Sequence, residues 1–207
     1  MTKTDLKKQY KTYFTASQKP ELVDIEPAKF ISIQGKGDPS EQAFADKIQA
    51  LYPTAYALKF IHKEKGQDFV VSKLEGLWWY DEAKFAGSTL DSAPTEIPRS
   101  EWEYRLMIRM PDYVEKEDIT QAIETVLHKK DIQLARQIEY FTLTEGKCVQ
   151  MLHVGPFSTE PETLQQIKSF IEENNLQRNG LHHEIYLSDF RKTAPEKLKT
   201  ILREPVK

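Results

Sequence analysis

The chain has 207 residues, a formal net charge of -3, and 39% hydrophobic and 11% aromatic content. That length holds one large domain or two small fused ones. No basic stripe supports nucleic-acid binding, and no apolar run is long enough to span a bilayer.

Leu6 to Phe14 reads as a short helix packed on the body, and Met1 to Tyr13 lacks the apolar stretch of a secretory signal. Residues 1–27 are expected to be an N-terminal extension. Ile31-Ser32-Ile33-Gln34-Gly35-Lys36-Gly37-Asp38-Pro39-Ser40 is a strand with apolar alternate positions, then a turn and a helix-capping serine. Phe44, Ile48 and Leu51 follow at helical spacing. Pro53 should kink or restart that helix, with Tyr56, Ala57 and Phe60 beyond it. A strand pair comes next, Phe69 to Tyr80 and Glu101 to Met110, around an excursion from Ala86 to Ser100 that could serve as a lid. Glu115 to Lys130 is a helix with Ile119, Ile123, Val126 and Leu127 inward.

The same order then recurs. Ile138 to Leu143 is a strand, and Glu145-Gly146 turns it into a second strand holding Cys148. Val149-Gln150-Met151-Leu152-His153-Val154-Gly155-Pro156-Phe157-Ser158 repeats the strand–turn–cap pattern. Leu164, Ile167, Phe170 and Ile171 mark a helix, and the strands His182 to Leu187 and Thr200 to Val206 close the chain. Strand–helix–strand–strand thus occurs twice, at about residues 28–111 and 137–207, with a linker helix at about 115–130. The halves share little identity, so the repeat rests on pattern. The expected fold is α+β and mainly antiparallel, with helices on one sheet face and a groove where the halves meet.

The chemistry concentrates on Leu181-His182-His183-Glu184-Ile185-Tyr186-Leu187. Strand alternation puts Ile185, Leu187 and His183 on one face, and Glu184, Tyr186 and His182 on the other. A carboxylate there is costly if buried alone. Either Glu184 points to water, or it is held in a pocket for a purpose. Of the adjacent Trp78 and Trp79, one must leave the helix-covered face. With Leu74 and Gly76 toward the helices, Trp78 follows them and Trp79 faces the groove beside Leu77 and Glu75. Trp102, Tyr104, Tyr140 and Phe157 complete the aromatic candidates, and His153 beside the Gly155-Pro156 turn could orient a ligand. Rings with one acid suit flat, cationic or polarised molecules through stacking and cation–π attraction. The lone Cys148 cannot form an intramolecular disulfide, which fits a reducing cytoplasm. No Cys or His spacing matches a zinc site, and neither a nucleophile elbow nor a phosphate loop is present, so no metal or cofactor is called for.

Together, His153-Val154-Gly155-Pro156-Phe157, Glu184-Ile185-Tyr186-Leu187 and Lys73-Leu74-Glu75-Gly76-Leu77-Trp78-Trp79 resemble the GyrI-like small-molecule-binding family over roughly Ala28 to Lys207. That family includes the effector domains of multidrug-responsive regulators such as BmrR and Rob. The Leu-Glu-Gly-Leu-Trp-Trp run resembles its stand-alone branch. The resemblance implies a ligand cleft between the two halves, with Glu184 in the place of the acid that contacts cationic drugs and Tyr186 beside it. It also implies, for a subfamily, hydrolysis of the strained cyclopropane of DNA-alkylating antibiotics of the yatakemycin type within an aromatic cage. Trp79, Trp102, Tyr104, Tyr140 and Phe157 are the cage candidates by position, and Glu184 the candidate for positioning or deprotonating water. The residues before Ala28 are too few for a helix-turn-helix domain, so direct DNA binding is not expected. Three readings stay open: a detoxifying hydrolase, a non-catalytic drug-binding or sensor protein, and a partner that modulates DNA gyrase.

Overall fold

The computed structural model describes residues 3–207, so Met1 and Thr2 of the expected N-terminal extension lie outside it. Two short helical turns, α1 (Leu6–Gln9) and α2 (Lys11–Phe14), precede β1 (Glu21–Ile25). The first repeat is β2 (Ala28–Lys36), α3 (Gln42–Glu64), β3 (Leu74–Trp79) and β4 (Glu103–Met110), with a short α4 (Ala93–Glu96) in its excursion. After α5 (Lys116–Lys130) and β5 (Glu139–Leu143), the second repeat is β6 (Gly146–Val154), α6 (Glu160–Glu173), β7 (His182–Tyr186) and β8 (Lys199–Pro205).

All eight strands form one antiparallel sheet in the order β1-β6-β8-β7-β3-β4-β2-β5. The two repeats join edge to edge through β3 and β7, with Gly76 opposite Glu184, Leu77 opposite His183 and Trp78 opposite His182. Antiparallel partners point to the same face. This register therefore fixes which residues of the two halves meet.

The helices cover one face in two separate blocks. Over the first half, Phe44, Ile48, Leu51 and Leu58 of α3 bury Ile31, Ile33, Leu106 and Ile108, and Ile119 and Val126 of α5 join the same cluster. Over the second half, Leu164, Ile167 and Ile171 of α6 bury Val149, Met151 and Leu202. The furrow beside α3, lined by Ile48 and Tyr52 with Leu74 of β3 and Tyr186 of β7, reaches the β3–β7 junction.

The opposite face is closed. Leu6, Tyr13 and Phe14 of the N-terminal segment pack on Phe30, Leu77, Met107, Cys148, Ile185 and Ile201. Strand alternation in the sequence puts Trp79, Leu77 and Glu75 in a groove on the helix-free face. Those three residues instead sit beneath the N-terminal segment, and the furrow is on the helix side. The sequence could not reveal this, because Leu6, Tyr13 and Phe14 read as an appendage and not as the lid of a second core layer.

Beneath that segment lies a polar cluster with almost no solvent contact. His183 is fully buried, with Nε2 3.0 Å from Glu75 and Nδ1 2.9 Å from Glu145. Tyr13 donates its hydroxyl to Glu75. Arg203 donates to Glu145 at 3.1 Å, to Gln150 Oε1 at 3.0 and 3.2 Å, and to the Tyr13 carbonyl at 2.7 Å. Gln150 in turn donates to the Thr12 and Thr15 carbonyls. The N-terminal segment is thereby pinned to the sheet by charge-assisted bonds as well as by apolar burial.

Two smaller expectations need correction. α3 continues through Pro53 without restarting. The carbonyl left without a donor belongs to Gln49, which is exposed, so water can replace the missing bond. The strand expected from Phe69 starts only at Leu74, because Phe69 pairs with Thr4 of the N-terminal segment through a lone parallel bridge.

Candidate functional site

Glu184 is buried at the β3–β7 junction, on the helix side, with His182 and Tyr186. Its cross-strand neighbour is Gly76, and the absent side chain lets Trp78 and Tyr186 close over the floor there. A Cβ at Gly76 would come 2.8 Å from Trp78 Nε1 and 3.0 Å from the Tyr186 hydroxyl. Those two atoms are themselves bonded, since Trp78 Nε1–H donates to Tyr186 Oη at 3.0 Å. Gly76→Ala is therefore expected to push this pair apart, costing about 1–3 kcal/mol. The check is a lowered melting temperature together with altered tryptophan fluorescence.

The acid is one member of a charged row. His182 Nε2 lies 3.3 Å from Glu184 Oε1, and its Nδ1 bonds Glu204, which also accepts from Arg178 Nε at 2.9 Å. Burial opposes a charge on His182, but Glu204 and Glu184 outweigh it and lift the imidazole to about 10. The ring is an imidazolium throughout the neutral range. Tyr186 is held well above its ordinary value by burial and then by Glu184, so it stays a neutral phenol able to donate.

A second carboxyl faces this row. Glu160, the first residue of α6, is buried and its Oε1 has no hydrogen-bond partner among the described residues. Burial first and the Glu184 charge second raise it well above the usual carboxylate range. The junction thus holds a proton-bearing acid beside a carboxylate that is paired with an imidazolium. This is an arrangement in which one group can give a proton and its neighbour can take one.

Rings wall the junction on both sides. Trp78 stacks on Phe44 at 5.9 Å and meets Tyr104 at 5.3 Å and Trp102 at 6.4 Å, and Trp102 meets Tyr80 at 5.2 Å. Across from them Tyr186, Phe157 and Phe190 form a triangle with 6.0 Å edges. Two cavities flank this wall. One of about 800 Å3 lies between α3 and the β7–β8 loop, with Tyr186 and Phe190 in its lining. The other, about 420 Å3, lies between α6 and the β3–β4 loop, with Tyr80 and Arg178 in its lining.

Of the residues singled out from sequence, Glu184, Tyr186, Trp102, Tyr104 and Phe157 come together here, with Tyr104 fully buried behind Trp78. Trp79 does not, since it packs with the N-terminal segment on the other face. Tyr140 does not either. It sits on β5 at the sheet edge, four strand positions from β7, or about 19 Å at ordinary strand spacing. His153 has no nitrogen to spare: Nε2–H donates to the Pro156 carbonyl at 3.1 Å, and Nδ1 accepts from Thr163 at 2.8 Å. It holds the turn that presents Phe157.

Glu160, Glu204 and Phe190 have no place in the sequence reading, and Trp78 and His182 enter it only through their strand faces. Trp78 carried a usable signal, because it shares strand parity with Gly76 opposite the acid. Glu160 carried none, since an acid in the first turn of a helix is ordinary. Among the described residues no group of three His, Cys, Asp or Glu side chains is arranged to hold a metal.

A model of the GyrI-like small molecule binding domain matches residues 18–207. The chain belongs to the GyrI-like family. Among solved structures, this GyrI-like chain is 36% identical to an uncharacterized conserved protein from Listeria innocua, over 99% of this chain and 100% of that one, with a TM-score of 0.87. A hydrolase from Listeria innocua is also 36% identical over 99% and 100% of the two chains, with a TM-score of 0.85. The C-terminal domain of EcmrR, at 12% identity over 91% of this chain and 97% of that one, shares the fold with a TM-score of 0.55. No curated protein matches the sequence. Among the described residues no helix is long and apolar enough to cross a membrane.

Proposed function

We propose that this GyrI-like domain binds flat aromatic or cationic xenobiotics against Trp78, Trp102, Phe157 and Tyr186, and hydrolyses strained cyclopropane-bearing DNA-alkylating compounds. The observation that carries this reading is the buried pair of carboxyls, Glu160 raised and Glu184 tied to an imidazolium, set under an indole–phenol hydrogen bond. The 36% identity to a Listeria innocua hydrolase supports turnover over storage.

The chemistry asks little of the protein. A cyclopropane conjugated to a carbonyl opens when water attacks its methylene carbon. The C–C bond that breaks sends its electrons to the carbonyl oxygen, and a phenol results. Glu184 takes the proton of the attacking water. Tyr186 or Glu160 donates to the oxygen where charge builds. The pair then resets by passing a proton between neighbours. Stacking fixes the ring plane and removes the cost of orientation.

A binding-only drug sponge or sensor is the second reading. What favours it is that both flanking cavities are lined by aromatics and neither by Glu184. The buried Cys148, whose thiol burial pushes up, suits a reducing cytoplasm in either case. Incubation with a cyclopropane-bearing alkylator, followed by mass spectrometry for a product one water heavier, separates the two. Product above the buffer blank supports the hydrolase, whereas tight binding without product leaves the sponge.

A further inference from the structure

We propose that the 800 Å3 cavity between α3 and the β7–β8 loop is a second ligand site, built for a small amphipathic anion: a carboxylate or sulfonate carried on a flat apolar body. Its volume matches that of sites for drug-sized molecules. Ile48 and Tyr52 of α3, Leu74 of β3 and Phe190 of the loop supply an apolar wall. Val70 and Tyr56, 37% and 48% exposed, extend that surface to the rim.

Charge decides the occupant. The six charged residues in the lining are Lys7, Lys73, Arg191 and Lys192 against Asp5 and Asp189, a surplus of two positive charges. Asp189 is already held by Arg191 through bonds of 3.0 and 3.1 Å, with Lys192 at 3.9 Å. Asp5 accepts the Lys7 backbone N–H at 3.1 Å to cap α1. That leaves Lys7 and Lys73 with no acid within ion-pair distance among the described residues, and Lys73 is half-buried. Burial and then the Lys7 charge lower Lys73, with only Asp189 opposing. An ammonium that is partly desolvated and facing a like charge gains from an incoming anion. Next to Lys73, the buried Ser72 hydroxyl has no hydrogen-bond partner among the described residues. Tyr186 walls this cavity and also touches the acid row, so the two sites are neighbours with opposite charge preference.

Three naphthalene probes of one shape test the assignment by calorimetry: 1-naphthoate, 1-naphthylmethylammonium and 1-naphthylmethanol. Naphthoate should bind about tenfold more tightly than the ammonium probe, the equivalent of one favourable charge contact, and should weaken as salt is raised. Lys73→Met should bring naphthoate down to the affinity of the neutral alcohol while cooperative melting is retained. Val70→Glu, a rim substitution, should repel naphthoate and spare the ammonium probe. Equal or tighter binding of the ammonium probe, or naphthoate affinity unmoved by both substitutions, would overturn the proposal.

Discussion

Replacing Arg203 by Met lowers the free energy of unfolding by about 3–5 kcal/mol in this expectation, because it leaves a buried carboxylate without its strongest partner. Arg203 and Glu145 are both buried, and the guanidinium also supports Gln150 and the Tyr13 carbonyl. Urea unfolding followed by circular dichroism gives the number. The Arg203→Met, Glu145→Gln double variant should lose less than the sum of the two singles, since the second change removes the stranded charge. Hydrogen exchange should speed up first in the segment from Thr12 to Ser17, which Gln150 and Arg203 hold down.

The same cluster sets a pH window. Burial alone would raise Glu145, but His183 and Arg203 outweigh it and hold the carboxyl at about 2 against an ordinary 4.5. Its contribution, on the order of 3 kcal/mol, is full above the ordinary value and drains away as pH falls toward 2. His183 runs the other way. Burial opposes its charge, yet Glu145 and Glu75 raise it above the ordinary 6.5. Its contribution is complete below that value and is lost as pH rises through the folded one. Stability should therefore peak between about 4.5 and 6.5. In Arg203→Met the acid limb should move to higher pH, because Glu145 loses one of the two charges that depress it.

This cluster also shows where sequence reading stops. Glu75, Glu145 and Arg203 sit in or beside strands that look half-polar, and charged strand positions usually face water. Only pairing across β3, β7, β8 and β6, over more than a hundred residues, turns them inward together. The alternation in β7 was legible, and so was the doubled strand–helix–strand–strand order, because both are local periodicities. The side on which the furrow lies was not. One strand fixes which residues share a face, but only the register against a partner and the fate of the N-terminal segment fix what covers it. Trp79 and Tyr140 were misplaced for that reason, the first by face and the second by distance along the sheet. β1 went unread because Glu-Leu-Val-Asp-Ile is too short for its alternation to stand out from a loop.

Glu184→Gln is the sharpest test of chemistry at the junction. If Glu184 takes the proton from water, the amide keeps the shape and removes the base, and turnover of a cyclopropane substrate should fall by about 10²–10⁴. Affinity for a planar neutral ligand should stay within a few-fold, since the rings that hold it are untouched. His182 retains Glu204, so the row survives the change and melting should move little. Glu160→Gln separates the roles. As a proton donor, Glu160 works only while it holds its proton, so kcat/KM in the native protein should drop as pH rises through its elevated value. In Glu160→Gln that limb should vanish and leave a lower, flatter profile. His182, lifted to about 10, keeps its charge over the whole assay range and adds no limb of its own. Turnover that survives Glu160→Gln undiminished would move the donor role to Tyr186, which stays a neutral phenol over the whole assay range.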